Sequence, residues 1–268
     1  PSSRKIFRQN LVGCSIATWY RSIKYLAETP FDFGDFIHQL HNNGQLRMNR
    51  TGVFIIDGHV IPHTGRHMEG VSRAYSSCEK KPILGLESEM IHYWSPSKQF
   101  PIDFRIFLAE TDLCIQRQKA EFKTKNELVR EMVVKILNYE YGPNTFLLDA
   151  GLGVKDTLKV IGSKKKYYVT RPKKNFQITY NHHRQSVIEL YDSILPTDFQ
   201  QTVVINPKSH QRHNYLTVVR DVFLAGLGTI RLVFIDATTL TPEEHEDTAA
   251  SQELIGNAQR KFRVFMSN

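Results

Sequence analysis

The chain has 268 residues, 41% hydrophobic and 23% charged, and its 35 Lys and Arg against 27 Asp and Glu give a formal net charge of +8. That length and apolar content provide for one large or two modest domains and exclude a disordered chain. The basic excess, with a sequence pI near 9.3, favours an anionic partner, nucleic acid ahead of a membrane surface.

No apolar run approaches the length that spans a bilayer, and residues 1–20 lack the charged-then-apolar pattern of a secretion signal. No membrane association and a cytoplasmic, nucleoid-associated location are therefore expected. Cys14, Cys78 and Cys114 are odd in number and far apart, so they point to neither a disulfide framework nor a cysteine zinc site and read as plain buried thiols. Pro1 opens the chain without a methionine, and Val264-Phe265-Met266 reads as a strand awaiting a continuation beyond Asn268. Both ends are expected to be cut.

Residues 4–46 read as helical. Ser15 caps a run to Ile23 with apolar residues at helical spacing and Arg21 and Lys24 outward; this is either half of a helix-turn-helix or a packing helix. Phe33, Phe36, Ile37 and Leu40 form a second amphipathic set, which Asn42-Asn43-Gly44 ends. Val53-Phe54-Ile55-Ile56 is then a short apolar run that stops on Asp57, the pattern of a strand covered on both faces. His59, His63 and His67 follow at four-residue spacing, but Pro62 and Gly65 break any helix that would gather them, which argues against a histidine metal site. Residues 71–75 and 83–94 are predicted strands that complete an antiparallel meander with the first.

A long helix is predicted over 123–139, with Leu128, Met132, Val133 and Ile136 on one face, Thr124 as cap and Glu127 at capping-box spacing. Gly142-Pro143 stops it. Phe146-Leu147-Leu148 is a second apolar run, again ending on an aspartate, Asp149. The following Ala150-Gly151-Leu152-Gly153 lacks the third glycine and the ribose-binding acid of a dinucleotide site, so it reads as a tight turn into a short helix over 154–161. Next come six basic residues, Lys164, Lys165, Lys166, Arg171, Lys173 and Lys174, around a short strand that carries Tyr167 and Tyr168. This run is either a solvated face or a phosphate-binding strand whose rings stack on bases, and its position just after Asp149 favours the second. Residues 176–263 break into short apolar stretches over 187–190, 202–205, 215–219 and 229–235, a β-rich insertion. Residues 242–247 form an acidic patch of loop or helix-start character.

The two aspartates organise this pattern. Each, taken alone, would most simply cap the turn that follows it. Two carboxylates delivered to strand ends in an α/β sheet can instead share a hard cation such as Mg2+ in the crevice beyond the strands.

From about Asn49 onward the chain resembles the DDE-type transposases of bacterial insertion sequences, in the branch with a β-strand insertion in the catalytic domain. The likeness is carried by Phe54-Ile55-Ile56-Asp57 followed by residues 61–71 (IPHTGRHMEGV), by residues 122–128 (FKTKNEL) opening the long helix, and by Phe146-Leu147-Leu148-Asp149-Ala150-Gly151. It implies an α/β, ribonuclease H-like mixed sheet with flanking helices: a helical N-terminal segment over 1–48, a catalytic core over 49–175, the β-rich insertion over 176–263 and a return to the core at 264–268. It further implies Asp57 and Asp149 as catalytic acids holding two Mg2+ or Mn2+ ions. The partner would be double-stranded DNA, both transposon ends and target, with its backbone on the basic run and a homodimer pairing the ends. The chemistry would be two-metal cleavage and strand transfer.

Two departures stand out. Many relatives carry a second Asp and a Thr right after the first acid, where this chain has Gly58 and His59. The family's third acid lies on a late helix beside Tyr and Arg, and nothing like it precedes Asn268; Glu243, Glu244, Glu246 and Glu253 lack that context. The reading therefore expects a chain without its third acid that binds metal weakly and cleaves poorly. Its alternatives are a non-catalytic DNA-binding remnant and a metal-dependent nuclease on the same fold.

Overall fold

The computed structural model describes residues 32–65, 69–76, 79–118, 120–139, 142–173, 175–205, 210–236 and 262–268. The helix expected over 15–23, Cys14, Cys78, His67 and the acidic patch at 242–247 lie outside the described residues, as does the side chain of Cys114. Among the described residues no helix is long and apolar enough to cross a membrane.

The architecture is mixed α/β, with few helices around one sheet. Strand β1 (Val53–Pro62) does not stop on Asp57. It runs on because β3 (Lys81–Ser95) pairs with it antiparallel over its whole length, from Val53 opposite Trp94 to Pro62 opposite Gly85. On the other edge of β3, strands β2 (Val71–Ser76) and β4 (Lys98–Ile106) lie end to end. The expected meander is thus rearranged: β3, long enough to take three partners, sits between β1 and β2. β4 is not among the strands expected from the sequence, and its Pro101 is a residue that interrupts a continuous ladder. The ladder tolerates it at a register shift between Ile91 and His92, with Pro101 opposite His92, one of the few places in a sheet where proline is accommodated.

Helix α1 (Phe33–Asn42) precedes these strands, and the short α2 (Leu113–Gln116) and then α3 (Lys125–Asn138) follow them. Helix α3 is capped as its sequence predicts: the Thr124 hydroxyl accepts from the Glu127 amide while the Glu127 carboxylate accepts from the Thr124 amide. It leads to β5 (Thr145–Leu148), which pairs parallel with β1, and α4 (Lys155–Ser163) leads to β6 (Tyr167–Thr170), parallel with β5. Val129, Met132 and Val133 of α3 are fully buried in one cluster with Phe54, Ile56 and Phe146 of the strands. At about 1.5–3 kcal/mol per buried side chain, this shared face dominates the stability of that half of the molecule.

Beyond β6 come β7 (Gln177–Tyr180), β8 (His183–Ser186), α5 (Val187–Asp192), β9 (Gln200–Ile205), β10 (Arg212–Leu224), β11 (Gly228–Asp236) and β12 (Phe262–Ser267). The stretch at 187–190, expected to be extended, is helical because Ser186 and Glu189 form a second reciprocal capping box, and it buries Val187, Leu190 and Tyr191. Tyr191 stacks on Phe262 at 3.8 Å between ring centroids. The sheet has twelve strands, with the main order β2-β3-β1-β5-β6-β12-β11-β10-β7-β8. Strand β12 joins its two halves, pairing antiparallel with β11 on one side and, at Met266 and Ser267, with β6 on the other.

Helix α1 is fastened to the core by charge. Lys135 of α3 pairs with Asp32 and with Asp35, the latter at 2.8 Å, and the Tyr139 hydroxyl donates to Asp35 at 2.8 Å. Gly34 permits the approach, since a Cβ there would lie 2.8 Å from Oδ2 of the buried Asp103. Burial acts to raise Asp32, but the hydrogen bonds from Lys135 and the Asp35 amide outweigh it and hold the carboxyl below its ordinary value; Lys135 and Tyr139 do the same for Asp35. Carboxyls lowered in the folded state contribute stability above their ordinary pKa and lose it as the pH falls through the lower, folded value. Amide hydrogen exchange in α1 is therefore expected to accelerate between pH 6 and pH 3 more than exchange in α3, after correction for the intrinsic pH dependence. Lys135→Met should remove that difference, leaving α1 equally loose at both pH values.

Candidate active site

The parallel pairing of β1 with β5 ends at Ile56 and Leu148. The next residue along each chain segment is an aspartate, Asp57 still within β1 and Asp149 just past the end of β5, so the two follow the last register pair and are near enough for the charge of Asp149 to act on Asp57. Past this point β1 continues while the other chain turns away: the amides of Leu152 and Gly153 both donate to the Asp149 carbonyl, at 3.1 and 2.9 Å. The turn requires Gly153, where a Cβ would sit 2.2 Å from the Thr170 hydroxyl oxygen. The strand mismatch leaves the edge of β1 open and forms a cleft of about 320 Å³. Its lining includes Asp57, Glu87, Glu89, Lys125, Asn126 and Asp149.

Glu89 comes from β3, directly opposite Gly58. Its carboxyl occupies the space a side chain at 58 would need, since a Cβ there would lie 3.0 Å from Glu89 Oε2. Gly58 is thus what leaves room for the Glu89 carboxyl. The pleat puts Asp57 and Glu89 on opposite faces of the β1–β3 ladder; they border one cleft because β5 has ended. Glu89 is only 1% exposed, and its Oε2 is buried without a hydrogen-bond partner. Burial pushes its carboxyl up to about 7; the Lys125 charge works against this, and the charges of Glu87 and Asp57 reinforce it.

The two aspartates are pushed in opposite directions. Asp57 reaches the surface from a recess whose partial desolvation raises its carboxyl; the Gly58 amide, donating to Oδ1 at 2.8 Å, offsets part of that, and the charge of Asp149 adds to it. Burial also acts to raise Asp149, but the 3.0 Å hydrogen bond from Arg171, the backbone amides of Ala150 and Gly151 and the guanidinium charge hold it below its ordinary value. Neighbouring carboxyls separated in this way are a recurrent property of sites that handle protons and charge.

Among the described residues no three Cys, His, Asp or Glu side chains converge into a ready-made metal cage. His63 accepts a hydrogen bond from the Gly65 amide at 2.9 Å, closing a turn. A divalent ion of the Mg2+ type does not require a cage: it keeps several waters and is commonly held by one or two carboxylates together with substrate phosphates. Adjacent Asp57 and Asp149, with the unpartnered Glu89 oxygen nearby, fit that demand in donor chemistry.

The basic run divides between the two ends of β6. Arg171 and Lys173 follow the strand on the side of Asp149. Lys164, Lys165 and Lys166 precede it, and Lys166 donates to Asn144 Oδ1 at 2.7 Å beside the opposite end of β5. With four residues of strand between the two groups, about 13 Å, the three lysines are not gathered at the acids; Lys174 lies outside the described residues. The two tyrosines differ as strand alternation requires: Tyr167 is 57% exposed, whereas Tyr168 is 2% exposed in the core, its hydroxyl pushed up to about 12 by burial, and offers no stacking face.

Sequence reasoning passed over Glu89, Glu87 and Lys125. A signal was present: Glu87 and Glu89 share the period-two register of the buried Ile91 and Tyr93, and carboxylates on the apolar face of a strand are rarely buried without a function. A carboxyl raised in the folded state contributes stability fully below its ordinary pKa of 4.5 and loses it as the pH rises through about 7. Glu89→Gln should therefore leave urea stability nearly unchanged at pH 4.5 and increase it at pH 8 by up to roughly 3 kcal/mol. Equal effects at both pH values would show that Glu89 is not ionised against its surroundings.

No protein-family model matches this chain, and no curated protein matches it in sequence. Among solved structures, a crystal structure of the NurA nuclease from Sulfolobus solfataricus aligns over 99% of this chain and 81% of that one, at 10% identity and a TM-score of 0.27, a likeness too slight to carry an argument about fold or activity.

Proposed function

We propose that this chain is a metal-dependent phosphoryl-transfer enzyme that cuts the backbone of nucleic acid, on a ribonuclease H-like arrangement of strands. The observation that carries this reading is the two carboxylates, Asp57 and Asp149, that follow the last register pair at the one place where β1 outruns β5. The order β4-β3-β1-β5-β6, antiparallel through β1 and parallel after it, supports the arrangement.

Asp57 and Asp149 would hold the divalent ion, Mg2+ or Mn2+, and Glu89 would add a further carboxylate to the lining of the same cleft from the other face of the ladder. When bound, such an ion lowers the pKa of water and stabilises charge on phosphate oxygens. Arg171 keeps Asp149 ionised and so ready for a cation at neutral pH. With Lys173 it also offers positive charge to the nucleic-acid backbone on the same side, where it positions without reading sequence. An oxygen nucleophile attacks phosphorus, the bond to the leaving oxygen breaks, and that oxygen takes up a proton.

The finer version is transposition, in which a DNA 3′-hydroxyl is the second nucleophile and a homodimer pairs two ends of double-stranded DNA. It rests on the sequence resemblance, and its distinguishing product is joined rather than cut DNA.

Plasmid nicking measured with Mg2+, Mn2+ or EDTA tests the general reading. Metal-dependent nicking is expected, reduced at least about 100-fold by Asp57→Asn or Asp149→Asn, the scale on which loss of a transition-state contact acts. Nicking that persists in either variant, or that ignores EDTA, would overturn it.

A further inference from the structure

Lys125 is the one lysine or arginine among the described residues that line the cleft, and it faces a lining with four carboxylates, Asp57, Glu87, Glu89 and Asp149. It stands at the first position of α3, where the positive end of a 14-residue helix adds to its charge. Its ammonium is held by the Glu87 carboxylate and lies 5.2 Å from the centroid of the Phe107 ring. The Lys125 side chain is 40% exposed and that of Glu87 14%, so the lysine end of the pair reaches solvent at the mouth of the cleft while the carboxylate is largely covered. The more exposed partner is the lysine, and an incoming phosphate oxygen offers its ammonium the same negative charge that Glu87 does.

We propose that Lys125 is a substrate-positioning residue whose ammonium leaves Glu87 for a non-bridging oxygen of the nucleic-acid phosphate in the cleft. Glu87 is then the parking place of the lysine in the empty site. The chain alternates between a lysine–carboxylate pair without substrate and a lysine–phosphate pair with it. No bond is made or broken in the exchange. The proposal rests on the phosphoryl-transfer reading of this cleft and goes beyond it, since that reading requires only the acids.

Binding of a fluorescein-labelled oligonucleotide to the full chain, followed across a KCl series with Ca2+ in place of Mg2+, tests it without relying on cleavage. Lys125→Gln is expected to weaken binding several-fold at low salt and to lower the slope of log affinity against log salt by about one, the loss of a single phosphate contact. Lys125→Arg should keep the slope. Glu87→Gln separates the proposal from a structural role for the pair: with the lysine already released, binding should tighten, whereas a pair that only braces the rim would make Glu87→Gln as harmful as Lys125→Gln. An unchanged slope in Lys125→Gln, or weakened binding in Glu87→Gln, would overturn the proposal and leave the phosphoryl-transfer reading standing. A wild-type chain that binds no nucleic acid would overturn both.

Discussion

The cleft exists because two neighbouring strands differ in length. β1 and β5 share four register pairs and then part, one continuing as an antiparallel partner of β3 and the other folding into the turn closed on the Asp149 carbonyl. A parallel pair must end somewhere, and where it ends its last residues are exposed on one edge while their backbones remain rigidly spaced. Asp57 is held there by the β1–β3 ladder and Asp149 by the turn that leaves the end of β5. Extending β5 by two residues would pair Asp57 and Asp149 into the ladder and leave no opening between them.

The acids are held in different electrostatic conditions by different means. Arginine and backbone amides stabilise charge on Asp149; partial desolvation and the charge of that neighbour destabilise it on Asp57; burial alone dominates for Glu89. Desolvating a carboxyl without pairing it costs stability, and sites that tolerate such a cost usually do so because a ligand later relieves it. Gly58 is the element that makes this tolerable sterically, by leaving room for Glu89 where any larger residue would displace it.

Much of the local structure was legible because its signals are local. The α3 capping box, the breaker at Gly142-Pro143 and the strand that stops just before Asp149 are properties of a few consecutive residues, and the structure reproduces them; the first strand, expected to stop on Asp57, runs on to Pro62 because β3 pairs with it. What was not legible depended on partners remote in sequence. β4 hides its strand character behind Pro101, which is tolerable only opposite the shifted register of β3. The apolar run at 187–190 suits a strand as well as a helix, and Ser186 with Glu189 decides the matter. Lys164 to Lys166 look contiguous with Arg171 along the chain, yet β6 between them carries them to its opposite ends. Glu89 belongs with Asp57 only because β3 returns antiparallel with Gly58 opposite it.

Strand β12 has a bearing on how the molecule comes together. It lies in the middle of the sheet, yet it follows every other described strand in sequence. Until it arrives during synthesis, β6 and β11 each present an unmatched row of amides and carbonyls, the kind of template to which stray strands attach. Such late, long-range closure makes for slow acquisition of the native state, and a nascent chain halted before residue 262 would be sticky at two places at once.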